Sequence, residues 1–164
     1  MIIGGVISGY YLDSKLFIGV HNNILFHIVC FAIGLLIMFF VIKISKNTGR
    51  TLAKYGRKGE VKTLDTNILV RDGIYRYMRH PMHLGLLFFP LSIAFLVASP
   101  SFILIISPIE MLFMLGMIKF WEESEAIKKF GGEYLAYKKR TPWFCFTIKC
   151  LTILLKDIPK IKKK

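Results

Sequence analysis

The stretch 83-HLGLLFFPLSIAFLVASPSFILIISPIEMLFMLGMIKF-120 decides how this chain folds. It is two apolar runs, 83–99 and 101–120, joined through Ser99-Pro100-Ser101. Proline has no amide donor and pushes its predecessor out of helical conformation, so the tripeptide reads as a tight turn. Two helices joined by so short a turn are antiparallel neighbours, and their outer ends return to the same side. Pro90 and Pro108 fall inside the runs and are expected to kink them, which helices in lipid tolerate. Glu110 is the acid of this stretch. Its charge is costly in hydrocarbon, so it either faces the bundle interior or lines a substrate cavity.

Outward from this hairpin, residues 24–44 are about twenty apolar positions interrupted by His27 and Lys43, the length that crosses a bilayer. Residues 1–12 are too short to cross about 30 Å of hydrocarbon at about 1.5 Å per residue, and are expected to form a short or tilted helix extended through Val20. Asp13 and Lys15 would then lie near an interface. The polar, basic connector 46–82 is expected to hold some helix around 51–55. After Trp121 the pattern becomes amphipathic, with Ile127, Phe130, Tyr134 and Tyr137 on one stripe and Gly131-Gly132 dividing it. Residues 143–155 read as an interfacial helix, and 161–164 as a cationic tail drawn to anionic membrane lipid. The expected fold is therefore an all-α integral membrane protein with four to five transmembrane or membrane-embedded helices. Residues 1–164 form a single domain: N-terminal membrane helices (1–45), connector (46–82), helical hairpin (83–121) and C-terminal segment (122–164).

Composition agrees with a bilayer as solvent. Of 164 residues, 54% are apolar, and the mean hydropathy is +0.53. The net charge of +13 is concentrated in two segments, 43–79 and 119–164, each with a net of +7. Basic segments on either side of an apolar hairpin place both on the cytoplasmic face. Nucleic-acid binding would explain the charge but not the apolar blocks, so no nucleic-acid partner is expected. Cys30, Cys145 and Cys150 make no disulfide framework and read as apolar packing residues. The N-terminus lacks a basic n-region and a cleavage site, which argues against a removed signal peptide.

Two clusters can carry chemistry. Residues 67–85 are dense in polar and aromatic groups where the chain re-enters the apolar region, and His80 and His83 are spaced to share a helix face. Such residues also anchor helices at headgroups without any catalytic role. No metal site is expected, because the His pair has no Cys or acidic partner nearby in sequence. The second cluster is Trp121-Glu122-Glu123-Ser124-Glu125, which by composition alone is also a plain solvated acidic face. The hairpin brings it to the same membrane face as 79–83. There a carboxylate can accept hydrogen bonds from ribose hydroxyls or an ammonium while His80 donates.

Gly73-x-Tyr75-x-x-x-Arg79-His80-Pro81-x-His83-x-Gly85 is similar to the G-x-Y-x-x-x-R-H-P-x-Y-x-G signature of the isoprenylcysteine carboxyl methyltransferase and phospholipid methyltransferase group. Glu122-Glu123, followed by Phe130-Gly131-Gly132-Glu133-Tyr134-Leu135-Ala136-Tyr137-Lys138-Lys139-Arg140-Thr141-Pro142, resembles its second signature, E-E-x(6)-F-G-x-E-Y-x-x-Y-K-K-R-x-P. The resemblance covers about residues 48–144. It implies an S-adenosylmethionine-dependent methyltransferase, releasing S-adenosylhomocysteine, with a cofactor pocket at the cytoplasmic ends of the last helices. The acceptor it implies is a lipophilic small molecule or a lipidated group, with carboxylate O-methylation of the isoprenylcysteine type as one form.

Carried over residue by residue, cofactor contacts fall on Asn67, Ile68, Leu69, Val70, Tyr75, His80, Pro81, Met82, His83 and Glu122. His80, Glu123 and Lys119 are the groups assigned to catalysis or to the acceptor. There is no G-x-G-x-x-G, so a Rossmann-type site is absent. Two departures stand out. His83 occupies the signature's second Tyr position, and Lys119 is the nearest cation to the place where the prenylcysteine enzymes carry an arginine. Competing readings are a membrane reductase of the sterol-reductase type using NADPH, and a non-catalytic membrane scaffold. A 2′-phosphate favours cations over the Glu122-Glu123 pair.

Overall fold

A computed structural model describes residues 2–58 and 66–156. The connector residues 59–65 and the cationic tail 161–164 lie outside the described residues. Among those described there are helices and turns and no strand. The helices are α1 (Ile2–Leu16), α2 (Ile18–His21), α3 (Ile24–Tyr55), α4 (Pro81–Leu87), α5 (Phe89–Leu96), α6 (Ser107–Met117), α7 (Glu123–Arg140) and α8 (Ile148–Leu155). Two helical spans are long and apolar enough to cross a membrane: Ile24–Tyr55, and the continuous run Phe102–Arg140 that contains α6 and α7. Pro81–Leu96 is a shorter apolar stretch.

The chain divides into two units, Met1–Val41 with Leu86–Phe120, and Ile42–Gly85 with Trp121–Lys164. In the first unit the turn expected at Ser99-Pro100-Ser101 closes α5 against the following helix. Ala98 takes a positive φ of 49° to make it. The next helix begins with a wide π-helical turn, Phe102–Ile106, and Pro108 follows inside the same continuous helix, where its missing N–H leaves a carbonyl of the preceding turn without its helical donor. Pro90 sits in the first turn of α5, just after the break at Phe88 that separates α5 from α4.

Helix α1 packs on this hairpin through glycine. A side chain at Gly5 would meet the Phe102 ring at 2.9 Å, and one at Gly9 would meet Ser99 Oγ at 2.7 Å. Phe102 is fully buried against them. Asp13 is wholly buried and accepts a 2.7 Å hydrogen bond from the Ser101 N–H, satisfying a donor at the start of that helix. The helix expected to run through Val20 breaks at Phe17, which is non-helical. Glu110 is buried, and its Oε2 has no hydrogen-bond partner among the described residues. The opposite faces are apolar and open: Ile28 of α3 is 61% exposed and Leu112 of α6 67% exposed, surface that suits lipid rather than water.

In the second unit α3 continues eleven residues beyond its apolar stretch, to Tyr55. Its polar residues satisfy themselves along the helix: Thr48 and Thr51 hydroxyls donate to the Ile44 and Asn47 carbonyls. The Asn47 amide donates to the carbonyls of Leu154 and Lys156, satisfying the C-terminal end of α8. Helix α7 is divided at Gly131, whose φ of 54° and ψ of −130° belong to glycine. Cys145 and Cys150 are joined by a disulfide, which corrects their reading as separate packing residues, while Cys30 is buried and free.

Candidate functional site

The site lies within the second unit and begins with Gly73, whose φ of +61° is open to glycine and strained for other residues. The short 3-10 turn Gly73–Arg76 that follows buries Ile74 and Tyr75. The Tyr137 hydroxyl of α7 donates to the Tyr75 carbonyl, tying the first signature to the second. Further along, the Arg79 and His80 N–H groups donate to the Pro142 and Trp143 carbonyls at 2.9 and 3.2 Å. Pro81 is the first residue of α4, where a missing donor is harmless, so the imidazole of His80 sits just ahead of the helix and packs edge-on to Trp143.

Glu122 ends a π-helical turn, Ile118–Glu122, and Glu123 opens α7. The two adjacent carboxylates have different surroundings. Glu123 is almost wholly buried and meets Arg79 Nη1 at 2.8 Å and Lys138 Nζ at 2.6 Å, so its charge is balanced inside the protein. Glu122 is 41% exposed and faces the two imidazoles: His83 Nε2 at 2.7 Å and His80 Nδ1 at 3.5 Å. The other ring nitrogen of His80 lies 3.5 Å from Glu123, so this ring bridges both carboxylates.

A cavity of about 330 Å³ opens beside this cluster. It is lined by Ile68, Leu69, Val70 and Tyr75, by Arg79 and His80, and by Glu122, Ala126, Phe130, Tyr134 and Tyr137. Buried polar atoms on these walls, among them Tyr75 Oη and Arg79 Nε, have no hydrogen-bond partner among the described residues. Burial, with neighbouring Tyr137 and Glu122, pushes the Tyr75 phenol well above its usual range, so the hydroxyl remains a donor. Unpaired buried donors beside a carboxylate suit a ligand carrying both hydroxyl or ammonium and acidic groups, as S-adenosylmethionine does.

Of the residues singled out in sequence, Ile68, Leu69, Val70, Tyr75, His80 and Glu122 line the cavity. Asn67 does not. Its side chain is spent on the Lys58 backbone, donating to the carbonyl at 2.7 Å and accepting from the N–H at 2.9 Å. Pro81, Met82 and His83 lie outside the lining, with His83 reaching it through Glu122. Glu123 stands behind it in the buried ion cluster. Lys119 belongs to the first unit, where it is exposed, with its ammonium over the Phe120 ring. Arg79, Glu125, Ala126, Lys129, Phe130, Tyr134 and Tyr137 were missed as lining residues. The signal was present: 122, 126, 130, 134 and 137 follow helical spacing, so Glu122 marks the top of a face.

A protein-family model described as Phospholipid methyltransferase matches residues 23–133, which include the first signature, the hairpin and Glu122-Glu123. No curated protein and no solved structure matches the chain.

Proposed function

Because this chain belongs to the phospholipid methyltransferase family and is a membrane methyltransferase, we propose that it uses S-adenosylmethionine to methylate a lipophilic acceptor reached from the bilayer. The observation that carries this reading is the cavity shared by the two signatures, with Glu122 and the unpartnered Tyr75 hydroxyl on its walls. When bound, the cofactor supplies a methyl group already activated by a sulfonium. The protein's part is then to hold two reactants in line and exclude water.

In this reading Ile68, Leu69 and Val70 offer adenine an apolar wall with backbone groups at its edge. Glu122 accepts hydrogen bonds from ribose hydroxyls or the ammonium, and Tyr75 donates from the opposite side. His80 donates to the methionine end. A carboxylate acceptor of the isoprenylcysteine type needs no proton removed, whereas an amine acceptor gives its proton to His80. Glu123 holds Arg79 and the His80 ring in place. The basic segments flanking the apolar hairpin support a multi-pass chain with its pocket on the cytoplasmic side.

The test is the thermal stability of purified protein in detergent with S-adenosylhomocysteine or NADPH. A ligand at a hundredfold over its dissociation constant stabilises by about 2.7 kcal/mol. S-adenosylhomocysteine raises Tm in the native chain and not in Glu122→Gln; a rise with NADPH alone overturns the proposal.

A further inference from the structure

His80, His83 and Glu122 present ligand atoms that all lie within 4.8 Å of one another. In sequence this His pair had no acidic neighbour; the fold supplies one from forty residues away. We propose that these three side chains form a binding site for a divalent transition-metal cation of the zinc type.

The first argument is the donor set. Two imidazoles and one carboxylate are a common ligand triad for such cations, and they leave coordination positions for water. His83 Nε2 and Glu122 Oε1 are 2.7 Å apart, and His80 Nδ1 is 3.5 Å from the other Glu122 oxygen. Donors around a tetrahedral zinc, with bonds of about 2.0 Å, are about 3.3 Å apart. Small side-chain rotations therefore bring all three onto one cation.

The second argument is independent of the first. A metal-bound histidine normally turns its other ring nitrogen to a carboxylate, which fixes the ring and its tautomer. His80 does this: its Nε2 is 3.5 Å from Glu123, and Glu123 is itself held by Arg79 and Lys138. That carboxylate is already charge-balanced, so it orients the ring rather than competing as a ligand. The third argument is access. His83 is 22% exposed and Glu122 41% exposed, so a hydrated cation can reach the site and keep part of its water shell.

The site goes beyond the methyl-transfer reading and does not depend on it. The two share His80 and Glu122, so the cation and the cofactor compete there. Binding of the metal alone separates the failure of one reading from that of the other.

The experiment is titration of tag-free, full-length protein in detergent with Co²⁺ and no cofactor, followed by its d–d absorption and by displacement with Zn²⁺. The expected result is saturable binding of one Co²⁺ per chain, weakened more than about tenfold in His83→Tyr and in His83→Gln. His27→Ala leaves it unchanged. Circular dichroism of each variant establishes that it is folded, and the pair of His83 substitutions guards against failure of either. Absence of saturable binding, or equal affinity in a folded His83 variant and the native chain, overturns the proposal.

Discussion

Arg79 and Glu123 form a 2.8 Å ion pair in which both side chains are more than nine-tenths buried, linking residues of the two signatures. Removing one partner of a buried pair strands the other, at a cost of about 3–5 kcal/mol. Arg79→Ala leaves Glu123 its bond to Lys138, so the expected loss is at the lower end of that range. Glu123→Leu strands the buried arginine and costs more. Denaturation in a single detergent compares them; a larger loss in Arg79→Ala than in Glu123→Leu contradicts the ordering.

Tyr75 separates a ligand role from a structural one. Its ring is buried and its carbonyl is held by Tyr137, but its hydroxyl has no partner among the described residues. Tyr75→Phe therefore leaves stability unchanged or slightly raises it, because an unsatisfied buried donor is removed. A neutral hydrogen bond to the ligand contributes about 0.5–1.5 kcal/mol, so affinity for S-adenosylhomocysteine falls by roughly two- to tenfold. Calorimetry alongside a melting curve reads both. Loss of stability with unchanged affinity contradicts the assignment.

What was legible in the sequence was local. The turn at Ser99-Pro100-Ser101 follows from the proline's own ring, which keeps Ser99 out of helix, and Gly131 divides α7 because that backbone conformation suits glycine, so neither depended on distant residues. The apolar run of α3 was legible, but its end was not. Residues 46–55 read as the start of a polar connector with some helix around 51–55, and they are helical throughout, with Thr48 and Thr51 bonding back along the helix while Asn47 finds α8. The Cys145–Cys150 bond depends on how a short loop folds back, which a spacing of five leaves open. At the site, the signatures named His80 and Glu122, but no local pattern distinguishes Glu122, facing imidazoles, from Glu123, facing Arg79 and Lys138. That difference exists only once Arg79, His80 and His83 are brought against Glu122 and Glu123.

Gly131 gives a test of the divided helix. Its φ of 54° with ψ of −130° is a region almost closed to residues with a Cβ, although a side chain there would meet nothing within 4 Å. Gly131→Ala is therefore expected to cost about 1–3 kcal/mol from backbone strain alone. Gly132→Ala, also in open space but without a positive φ, is nearly neutral. Equal effects at the two positions would show that α7 runs unbroken.

Glycines in the first unit make the final prediction, because two of them sit in opposite environments. A Cβ on Gly34 of α3 would lie 2.7 Å from the backbone nitrogen of Leu96 and 3.1 Å from its Cα. Backbone atoms of a packed helix cannot rotate aside, so Gly34→Ala must push α3 and α5 apart. Close approach through small residues is how helices associate in lipid, where neighbouring tails are as apolar as the helices themselves. Overpacking of this kind costs about 1–3 kcal/mol. Gly116 of α6 has nothing within 4 Å. Gly116→Ala meets no obstacle and exchanges a poor helix former for the best one, a gain of up to about 1 kcal/mol. The two substitutions add the same methyl group, so composition and helix propensity alone would move Tm in the same direction for both. Opposite shifts in one detergent are the expected outcome, and a shared sign would mean that α3 does not meet α5 at Gly34.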